Sequence, residues 1–296
     1  MRMPTVKQLQ YFLALTETGH FGRAAESSFV SQSALSSAIA ELEETLGAQL
    51  VDRTNRQVTI TSIGQRIAVQ ARLCLRDIES LVEMAHGVGE PLASELRLGI
   101  IPTIAPFILP QVLPKLRRKH PSLKLYLTEG QSGKIYQQLM DGELDVILLA
   151  LPWDMRGVET EELFRDAFCL AYRKGTERVD PDNYRINRLN ADSILLLEDG
   201  HCLRDHALAA CRIRNTQKVA PFAASSLLTL VEMVDADLGI TFLPEMARGT
   251  AILRNTRVEL APLGEDSYRT VGLAWRKGSR RADEFRMLGE FVAENR

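Results

Sequence analysis

Hydrophobic residues recur at helical spacing in the first part of the chain. Leu35, Ile39 and Leu42 lie on one face of a segment bounded by Ser31 and Gly47. Serine is a favoured N-cap residue, and glycine is favoured just beyond a helix C-terminus. The pattern therefore predicts a well-delimited helix here, with shorter helices before it.

This helix and the one before it predict a helix-turn-helix. The small residues Ala24 and Ala25 allow two short helices to pack closely across a tight turn. In such a motif the second helix enters the major groove of DNA, and its first residues contact base edges. The candidate DNA contacts are Arg23, Ser31, Gln32, Ser33 and Ser36.

Residues 50–61 predict a β-wing, because two β-like stretches flank a turn that contains Asn55. Basic side chains on a wing contact phosphates or enter a minor groove. The candidates here are Arg53, Thr54 and Arg56. The alternative that stays open for the whole module is a small helical subdomain whose polar face binds nothing.

Between residues 66 and 90 the sequence predicts a dimerising helix followed by a hinge. The apolar residues follow the 4-3 spacing of a coiled-coil seam, and residues 87–94 contain helix-breaking glycine and proline. The alternative is one amphipathic helix packed on its own domain. The seam consists of Ile67, Ala71, Cys74, Ile78, Leu81 and Ala85.

From residue 95 the pattern changes to apolar strand-length runs that alternate with helical segments, which predicts an α/β module. The complete chain is thus expected to be a multi-domain α+β protein. The predicted strands are 96–101, 123–128, 145–151, 168–172, 194–198, 239–243 and 270–275. The predicted helices are 106–119, 132–141, 203–213, 226–236 and 281–294.

Composition limits the classes of function. The 296 residues carry 36 Lys+Arg against 38 Asp+Glu, a net charge of −2, which argues against a histone-like DNA binder. No apolar run reaches the length of a membrane span and no signal-peptide core is present, so we expect a cytoplasmic protein without membrane contact. Four cysteines are too few for a disulfide scaffold.

The sequence offers no sign of an enzyme. A P-loop, a dinucleotide-binding glycine motif, a nucleophile elbow and a zincin motif are all missing, and the five histidines are scattered. We therefore expect no catalytic residues, no metal and no cofactor.

Several motifs identify the chain as resembling the LysR-type transcriptional regulators over its whole length. The matching stretches include residues 10–15, 20–26, 30–36, 41–47 and 53–61, although Ser33 and Ser62 stand where proline is usual and Asp237 where glycine is common. The resemblance implies a winged helix-turn-helix, a linker helix and a periplasmic-binding-protein-like regulatory domain of two subdomains. The implied boundaries are 1–65, 66–90 and 91–296, with subdomain I formed by 91–165 and 270–296 and subdomain II by 166–269.

Within that family, residues 99–110 and 196–211 resemble the hydrogen-peroxide sensors. This resemblance implies that Cys202 is the peroxidatic cysteine and Cys211 the resolving one. It further implies that a peroxide pocket and support for the thiolate are formed by Thr103, Ser132, His201, Arg204, Asp205 and Arg269. Ser132 stands where threonine is usual.

Physical chemistry adds two expectations about this cysteine pair. Cys202 follows Gly200 and His201 at a predicted helix start, where the helix dipole favours a thiolate, and His206 supplies a nearby basic group. Nine helical steps separate two Cα atoms by about 13–14 Å. A disulfide tolerates only about 4.4–6.8 Å, so the segment would have to unwind when a bond to Cys211 forms.

These observations predict a regulator that senses hydrogen peroxide and activates antioxidant genes. The expected partners are promoter DNA, further copies of the chain in a tetramer or dimer, RNA polymerase and a thiol reductant. One alternative is a regulator that binds a small metabolite between its subdomains, with incidental cysteines. A second is a thiol peroxidase that uses Cys202 catalytically, against which the helix-turn-helix argues.

Overall fold

The structure of the chain, a computed structural model, describes residues 3–54, 57–85, 91–211, 213 and 216–296. The chain divides into two compact units. Unit 1 contains Met1–Glu90 with Asp141–Glu143, and unit 2 contains Pro91–Met140 with Leu144–Arg296. No helix in the described part of the chain is both long and apolar enough to cross a bilayer.

Unit 1 contains the predicted helices and wing strands. Ser31 Oγ accepts a hydrogen bond from the backbone N–H of Ala34 at 3.2 Å, and Gly47 has a φ of 63°, so both predicted ends of the third helix are confirmed. The elements are α1 (Val6–Thr18), α2 (Phe21–Ser27), α3 (Gln32–Leu46), β1 (Val51–Thr54), β2 (Gln57–Ile60) and α4 (Ser62–Ala85).

A carboxylate attaches the wing to α3. Glu43 accepts hydrogen bonds from the backbone N–H groups of Leu50 and Val51 at 2.7 and 3.0 Å, which fixes the start of β1. β1 and β2 form an antiparallel ladder, as the sequence predicts. The turn residues Asn55 and Arg56 lie outside the described residues.

The linker helix α4 begins at Ser62, four residues before the predicted start. Ala68 and Ala71 are buried in the core of unit 1. Further along the helix, Leu81 and Val82 are 59% and 46% exposed, so the C-terminal half of α4 presents apolar side chains to solvent. Residues 86–90 of the predicted hinge lie outside the described residues.

Unit 2 is an α/β structure with a mixed sheet in the order β10-β6-β11-β5-β3-β4, in which β9 also pairs with β6. β7 and β8 form a separate parallel pair. The strands are β3 (Glu95–Ile100), β4 (Lys124–Glu129), β5 (Val146–Leu151), β6 (Val158–Arg173), β7 (Ile194–Leu197), β8 (Val219–Ala224), β9 (Thr241–Pro244), β10 (Val258–Pro262) and β11 (Tyr268–Arg276). The helices are α5 (Ala105–Lys119), α6 (Ser132–Met140), α7 (Cys202–Ala210), α8 (Leu227–Asp235) and α9 (Ala282–Asn295).

Two hydrophobic cores define two subdomains of unit 2. The first core lies around β3, β5 and the C-terminal half of β11, and the second lies around β7, β9 and the C-terminal half of β6. β6 and β11 are long antiparallel partners that extend through both subdomains. Two of the side chains described next, Asp166 and Arg269, pair with each other on these strands.

Three sequence expectations about unit 2 need correction. The strand predicted at 168–172 is the end of a 16-residue strand that begins at Val158. The strands Val219–Ala224 and Val258–Pro262 were not predicted. The helix predicted over 203–213 ends at Ala210, so Cys211 is its C-cap residue.

Candidate functional site

Cys202 is the first residue of α7, and its side chain is buried. The turn between β7 and α7 contains Gly200 with a φ of +95°, a conformation that glycine adopts without strain. A Cβ at this glycine would lie 2.9 Å from Oε1 of Gln131, so a larger residue would also collide with the opposing subdomain. The turn therefore brings the start of α7, with its unpaired backbone N–H groups, against the first subdomain.

Arg269 of β11 holds one wall of the site. Its guanidinium is buried, forms an ion pair with Asp166 of β6 at 2.9 Å, and donates to Oγ1 and the carbonyl of Thr103 at 3.2 and 2.8 Å. Asp166 in turn accepts from the backbone N–H of Met246 at 3.2 Å. The ion pair with Asp166 and the hydrogen bonds of the planar guanidinium to Thr103 fix Arg269 in this position.

Ser132 and His206 form the rest of the polar surroundings of Cys202. Ser132 is the buried first residue of α6, and His206 lies one turn after Cys202 on α7. The Nε2 atom of His206 lies 2.9 Å from the carbonyl oxygen of Pro152. Ser132 Oγ and His206 Nδ1 are buried and have no partner of good hydrogen-bond geometry among the described residues.

The electrostatics of the site favour a thiolate. Burial raises the pKa of the Cys202 thiol, but interactions with His206 and Ser132 and the positive charges of His206 and Arg269 outweigh burial and bring that pKa below its ordinary value. Burial lowers the pKa of His206, but the neighbouring Cys202 raises it more, so the net shift is upward. A thiolate at a helix N-terminus gains further stabilisation from the helix dipole. The site therefore favours the nucleophilic thiolate of Cys202 over the neutral thiol.

Cys211 lies at the opposite end of the same helix, and the pKa of its thiol is shifted in the opposite direction from that of Cys202. Burial raises the pKa of its thiol to about 12, so Cys211 is a protonated thiol in this state. All four cysteines are free. A helix of this length separates the two Cα atoms by about 13–14 Å, about twice what a disulfide spans. The structure is thus the dithiol form.

The sequence-predicted residues fall into two groups. Ser132 and Arg269 act directly on Cys202, and Thr103 is connected to the site through its two hydrogen bonds with Arg269. The other three have different surroundings. His201 is buried as the N-cap residue of α7, without a side-chain capping bond. Arg204 pairs with Asp199 at 3.1 Å and donates to the carbonyl of Leu197, and Asp205 is exposed in the first turn of α7.

Sequence reasoning gave His206 only as a nearby basic group. The available signal was its spacing, because residues four apart on a helix face each other. The position of Pro152, which fixes the other side of the ring, follows only from the fold.

The remaining two cysteines have ordinary structural surroundings. Cys169 is buried in β6 and donates a hydrogen bond to Oε2 of Glu245 at 2.7 Å; burial and this carboxylate raise its pKa to about 12. Cys74 on α4 is half-buried, with Nε2 of Gln70 at 3.7 Å from its sulfur. Among the described residues, no cluster of three or more His, Cys, Asp or Glu side chains is arranged to hold a metal ion.

The candidate nucleic-acid contacts lie on unit 1. Ser31 caps α3, Gln32 and Ser33 are exposed at the start of that helix, and Arg23 donates to the carbonyl of Thr18 at 2.9 Å. Ser36 follows one turn after Gln32 on α3. Arg53 and Thr54 belong to β1, whereas Arg56 lies outside the described residues.

Comparisons with known proteins agree with this architecture. The family described as bacterial regulatory helix-turn-helix protein, lysR family, matches residues 6–65, and the LysR substrate binding domain matches residues 89–296. The HTH-type transcriptional regulator EstR of Acinetobacter baylyi is 41% identical over 287 residues, which cover 97% of this chain and 95% of EstR.

Proteins named OxyR, and others named as activators of hydrogen peroxide-inducible genes, are also similar. The DNA-binding transcriptional dual regulator OxyR of Escherichia coli is 37% identical over 287 residues, covering 97% of this chain and 94% of OxyR. A solved structure of a full-length OxyR variant from Pseudomonas aeruginosa is 32% identical, with a TM-score of 0.79, and covers 99% of this chain and 95% of that one.

Proposed function

Because the chain belongs to the LysR family of transcriptional regulators, we propose that it controls transcription in response to hydrogen peroxide, which it senses through Cys202 and Cys211. The observation that carries the proposal is a buried thiol of lowered pKa at one end of α7, with a second cysteine at the other end. Similarity to OxyR supports the same conclusion.

In the proposed reaction, Cys202 attacks peroxide as a thiolate, and Thr103, Ser132 and Arg269 surround the reacting atoms. Sulfenic acid forms at Cys202 while peroxide is reduced to water. The thiol of Cys211 then displaces water from the sulfenic acid, which gives a disulfide. Arg204 holds the start of α7 through Asp199 and the carbonyl of Leu197, while His201 and Asp205 would support the thiolate from beside it in sequence.

The disulfide would act as a switch because α7 cannot persist with Cys202 and Cys211 bonded. Refolding of this segment would change how regulatory domains associate and so the spacing of the DNA-reading helices. DNA contacts would come from Arg23, Ser31, Gln32, Ser33 and Ser36 on the helices and from Arg53, Thr54 and Arg56 on the wing.

The same proposal includes the localisation, oligomeric state and partners of the protein. It would act in the cytoplasm as a homotetramer on promoter DNA, recruit RNA polymerase to antioxidant genes, and be reset by a thiol reductant. Several copies are needed because unit 1 offers few basic residues to phosphates.

Peptide mapping after one equivalent of peroxide tests the proposal. We expect a Cys202–Cys211 disulfide and a changed DNA footprint, and the same result in a Cys74→Ser control. Cys202→Ser should abolish both changes. Absence of the bond together with an unchanged footprint would refute peroxide sensing.

A regulator triggered by a small metabolite is the second candidate, since the chain is also 41% identical to EstR, a transcriptional regulator whose name does not mention peroxide. Such a regulator would still respond to its effector in the Cys202→Ser variant. A thiol peroxidase is a third possibility in principle, although the family is one of regulators. Multiple turnovers with dithiothreitol and no binding of DNA would identify it.

A further inference from the structure

His206 is poised to act on the thiol of Cys202. The two residues are separated by four positions on α7, so their side chains lie on the same face of the helix, one above the other. His206 is partly shielded from water between α7 and the end of β5. The ring is therefore fixed beside the sulfur by the helix that carries both residues.

The contact with Pro152 determines the tautomer of the ring. A backbone carbonyl oxygen can only accept a hydrogen bond, so Nε2 of His206 must carry the proton in the 2.9 Å contact with Pro152. In the neutral imidazole the other nitrogen, Nδ1, then holds a lone pair. Nδ1 is buried and has no hydrogen-bond partner of full geometry among the described residues, so its lone pair is available to the thiol of Cys202 one turn earlier on α7.

We propose that His206 is the proton acceptor of Cys202, held in the required tautomer by the carbonyl of Pro152. The geometry resembles a nucleophile–base–orienter arrangement, in which a third group orients the base toward the nucleophile. Transfer of the thiol proton to Nδ1 produces a thiolate–imidazolium pair. The directions of the two pKa shifts, downward for Cys202 and upward for His206, agree with such a pair.

The proton held by His206 would pass to the leaving hydroxide during oxidation. The thiolate attacks one oxygen of peroxide, an S–O bond forms and the O–O bond breaks, and hydroxide leaves. His206 gives its Nδ1 proton to the hydroxide, which becomes water, while Cys202 becomes sulfenic acid. Sulfur is oxidised, peroxide is reduced, and His206 ends neutral, ready for the next cycle.

Other charged groups near the pair cannot replace His206 in this role. Arg269 faces the pair from β11 and favours the thiolate, but arginine does not accept a proton, and its charge is shared with Asp166 of β6. Ser132 faces the sulfur from α6 and favours the thiolate, but a serine hydroxyl is far too weak a base to hold the thiol proton. His201 precedes the helix, and burial lowers the pKa of its ring, so it takes up a proton less readily than His206.

The oxidation step rests on the proposed function, whereas the proton transfer can be measured without peroxide. The test uses the full chain with Cys74, Cys169 and Cys211 each replaced by serine, so that Cys202 is the sole thiol. The rate of alkylation by iodoacetamide is measured against pH. In this background His206→Gln keeps an amide donor for Pro152 but cannot take up the proton, and His120→Gln is the matched control.

We expect His206→Gln to move the midpoint of the pH profile upward and to lower the rate at neutral pH about tenfold for each unit of displacement. His120→Gln should leave the profile unchanged. An unchanged profile in a folded His206→Gln variant would overturn the proposal. Alkylation that shifts as expected, combined with a Cys202 that peroxide does not oxidise, would refute peroxide sensing alone.

A second measurement covers the case in which His206→Gln fails to fold. Nitrogen chemical shifts of His206 in the reduced chain should report an imidazolium at neutral pH, and those of the Cys202→Ser variant a neutral ring protonated at Nε2. A neutral ring in both proteins would overturn the proposal.

Discussion

Arg269 is the residue on which the site depends most. It is buried, paired with Asp166 across the β6–β11 ladder, and bonded twice to Thr103. Removing one partner of a buried ion pair leaves the other charge unpaired in a region of low dielectric constant. The same side chain thus supports the thiolate and the junction of the two subdomains.

We predict that Arg269→Gln lowers the free energy of unfolding by about 3–5 kcal/mol in urea denaturation. The control is Arg286→Gln, because the ion pairs of Arg286 with Glu159, Glu161 and Asp283 are half-exposed, and its guanidinium otherwise lies over the ring of Trp275. That substitution should cost about 0–1 kcal/mol. Equal losses for the two variants would contradict the importance assigned to the buried pair.

Asp237 adopts a backbone conformation that favours glycine, with a φ of +60°. Its Oδ1 accepts from Oγ1 of Thr176 at 2.7 Å, and its carbonyl accepts from Nε of Arg178 at 2.7 Å. The side-chain bond compensates for the strain, which explains how aspartate is tolerated where the family commonly has glycine.

Asp237→Ala should therefore lose about 1–2 kcal/mol of stability, because alanine keeps the strain and lacks the hydrogen bond. Asp237→Gly removes both the strain and the bond, so its loss should be smaller. Thermal unfolding of the two variants measures and compares these losses of stability. A larger loss in the glycine variant would show that strain at this position is negligible.

The thiols of the native chain should differ in reactivity. At about pH 8, near the pKa of an unperturbed cysteine, iodoacetamide should label Cys202 and spare Cys169 and Cys211, whose pKa values are raised to about 12. For a thiol of raised pKa, the thiolate fraction grows only as the pH rises toward that pKa. Peptide mapping measures the labels, with denatured protein as the control in which all three react. Labelling of Cys169 as fast as Cys202 would contradict the assignment.

At the scale of elements, α7 is the part that must change when a disulfide forms. The helix runs from Cys202 to Ala210 and ends in Cys211 as its C-cap. Any substitution that weakens the helix lowers the cost of bringing the two cysteines together. The helix is therefore a barrier that opposes the oxidised state.

Ala209→Gly tests this role, since Ala209 is exposed near the end of α7 and glycine destabilises a helix by about 1 kcal/mol. We expect the conversion of Cys202 sulfenic acid to disulfide to be about fivefold faster. Ala40→Gly, at an exposed position of α3, should leave this rate unchanged. Stopped-flow oxidation followed by acid quench and mass analysis gives both rates.

The elements that the sequence failed to predict have identifiable reasons. β8 contains Pro221, which lacks a ladder donor and argues against a strand, yet β8 pairs on one side only, with β7. The first half of β6 is rich in acids, including Glu159 and Glu161, whose charges are met by Arg286 of α9. A pattern of hydrophobic residues within one segment cannot reveal a charged partner that lies so far away in sequence.

At the scale of the whole molecule, the sequence predicted individual helices and strands better than the assembly of the site around Cys202. Capping residues and periodic apolar positions are local signals, so the ends of α3 and the wing strands were correct. Thr103, Ser132 and Arg269 were identified only through a family resemblance. Their assembly around Cys202 depends on three segments that approach one another in the folded chain.

Self-association through α4 is a prediction at the same scale. Leu81 is 59% exposed on the predicted coiled-coil seam, and the few basic residues of one copy bind DNA weakly. Leu81→Glu should therefore give a smaller oligomer by sedimentation and at least a tenfold loss of DNA affinity, a loss of about 1.4 kcal/mol. Glu79→Ala, one exposed position on the same helix, is the control. Unchanged association in Leu81→Glu would show that α4 does not pair chains.

The helix that opposes oxidation also determines how long a signal lasts. Every increment of α7 stability favours the dithiol, so it raises the reduction potential of the cysteine pair by about 30 mV for each 1.4 kcal/mol. A more stable α7 would thus make the regulator oxidise less readily and return to the dithiol sooner. A less stable α7 would keep the disulfide form for longer after a brief exposure to peroxide. The alanines Ala207, Ala209 and Ala210 favour the helix, so in the proposed switch they would help to set its reduction potential and its recovery time.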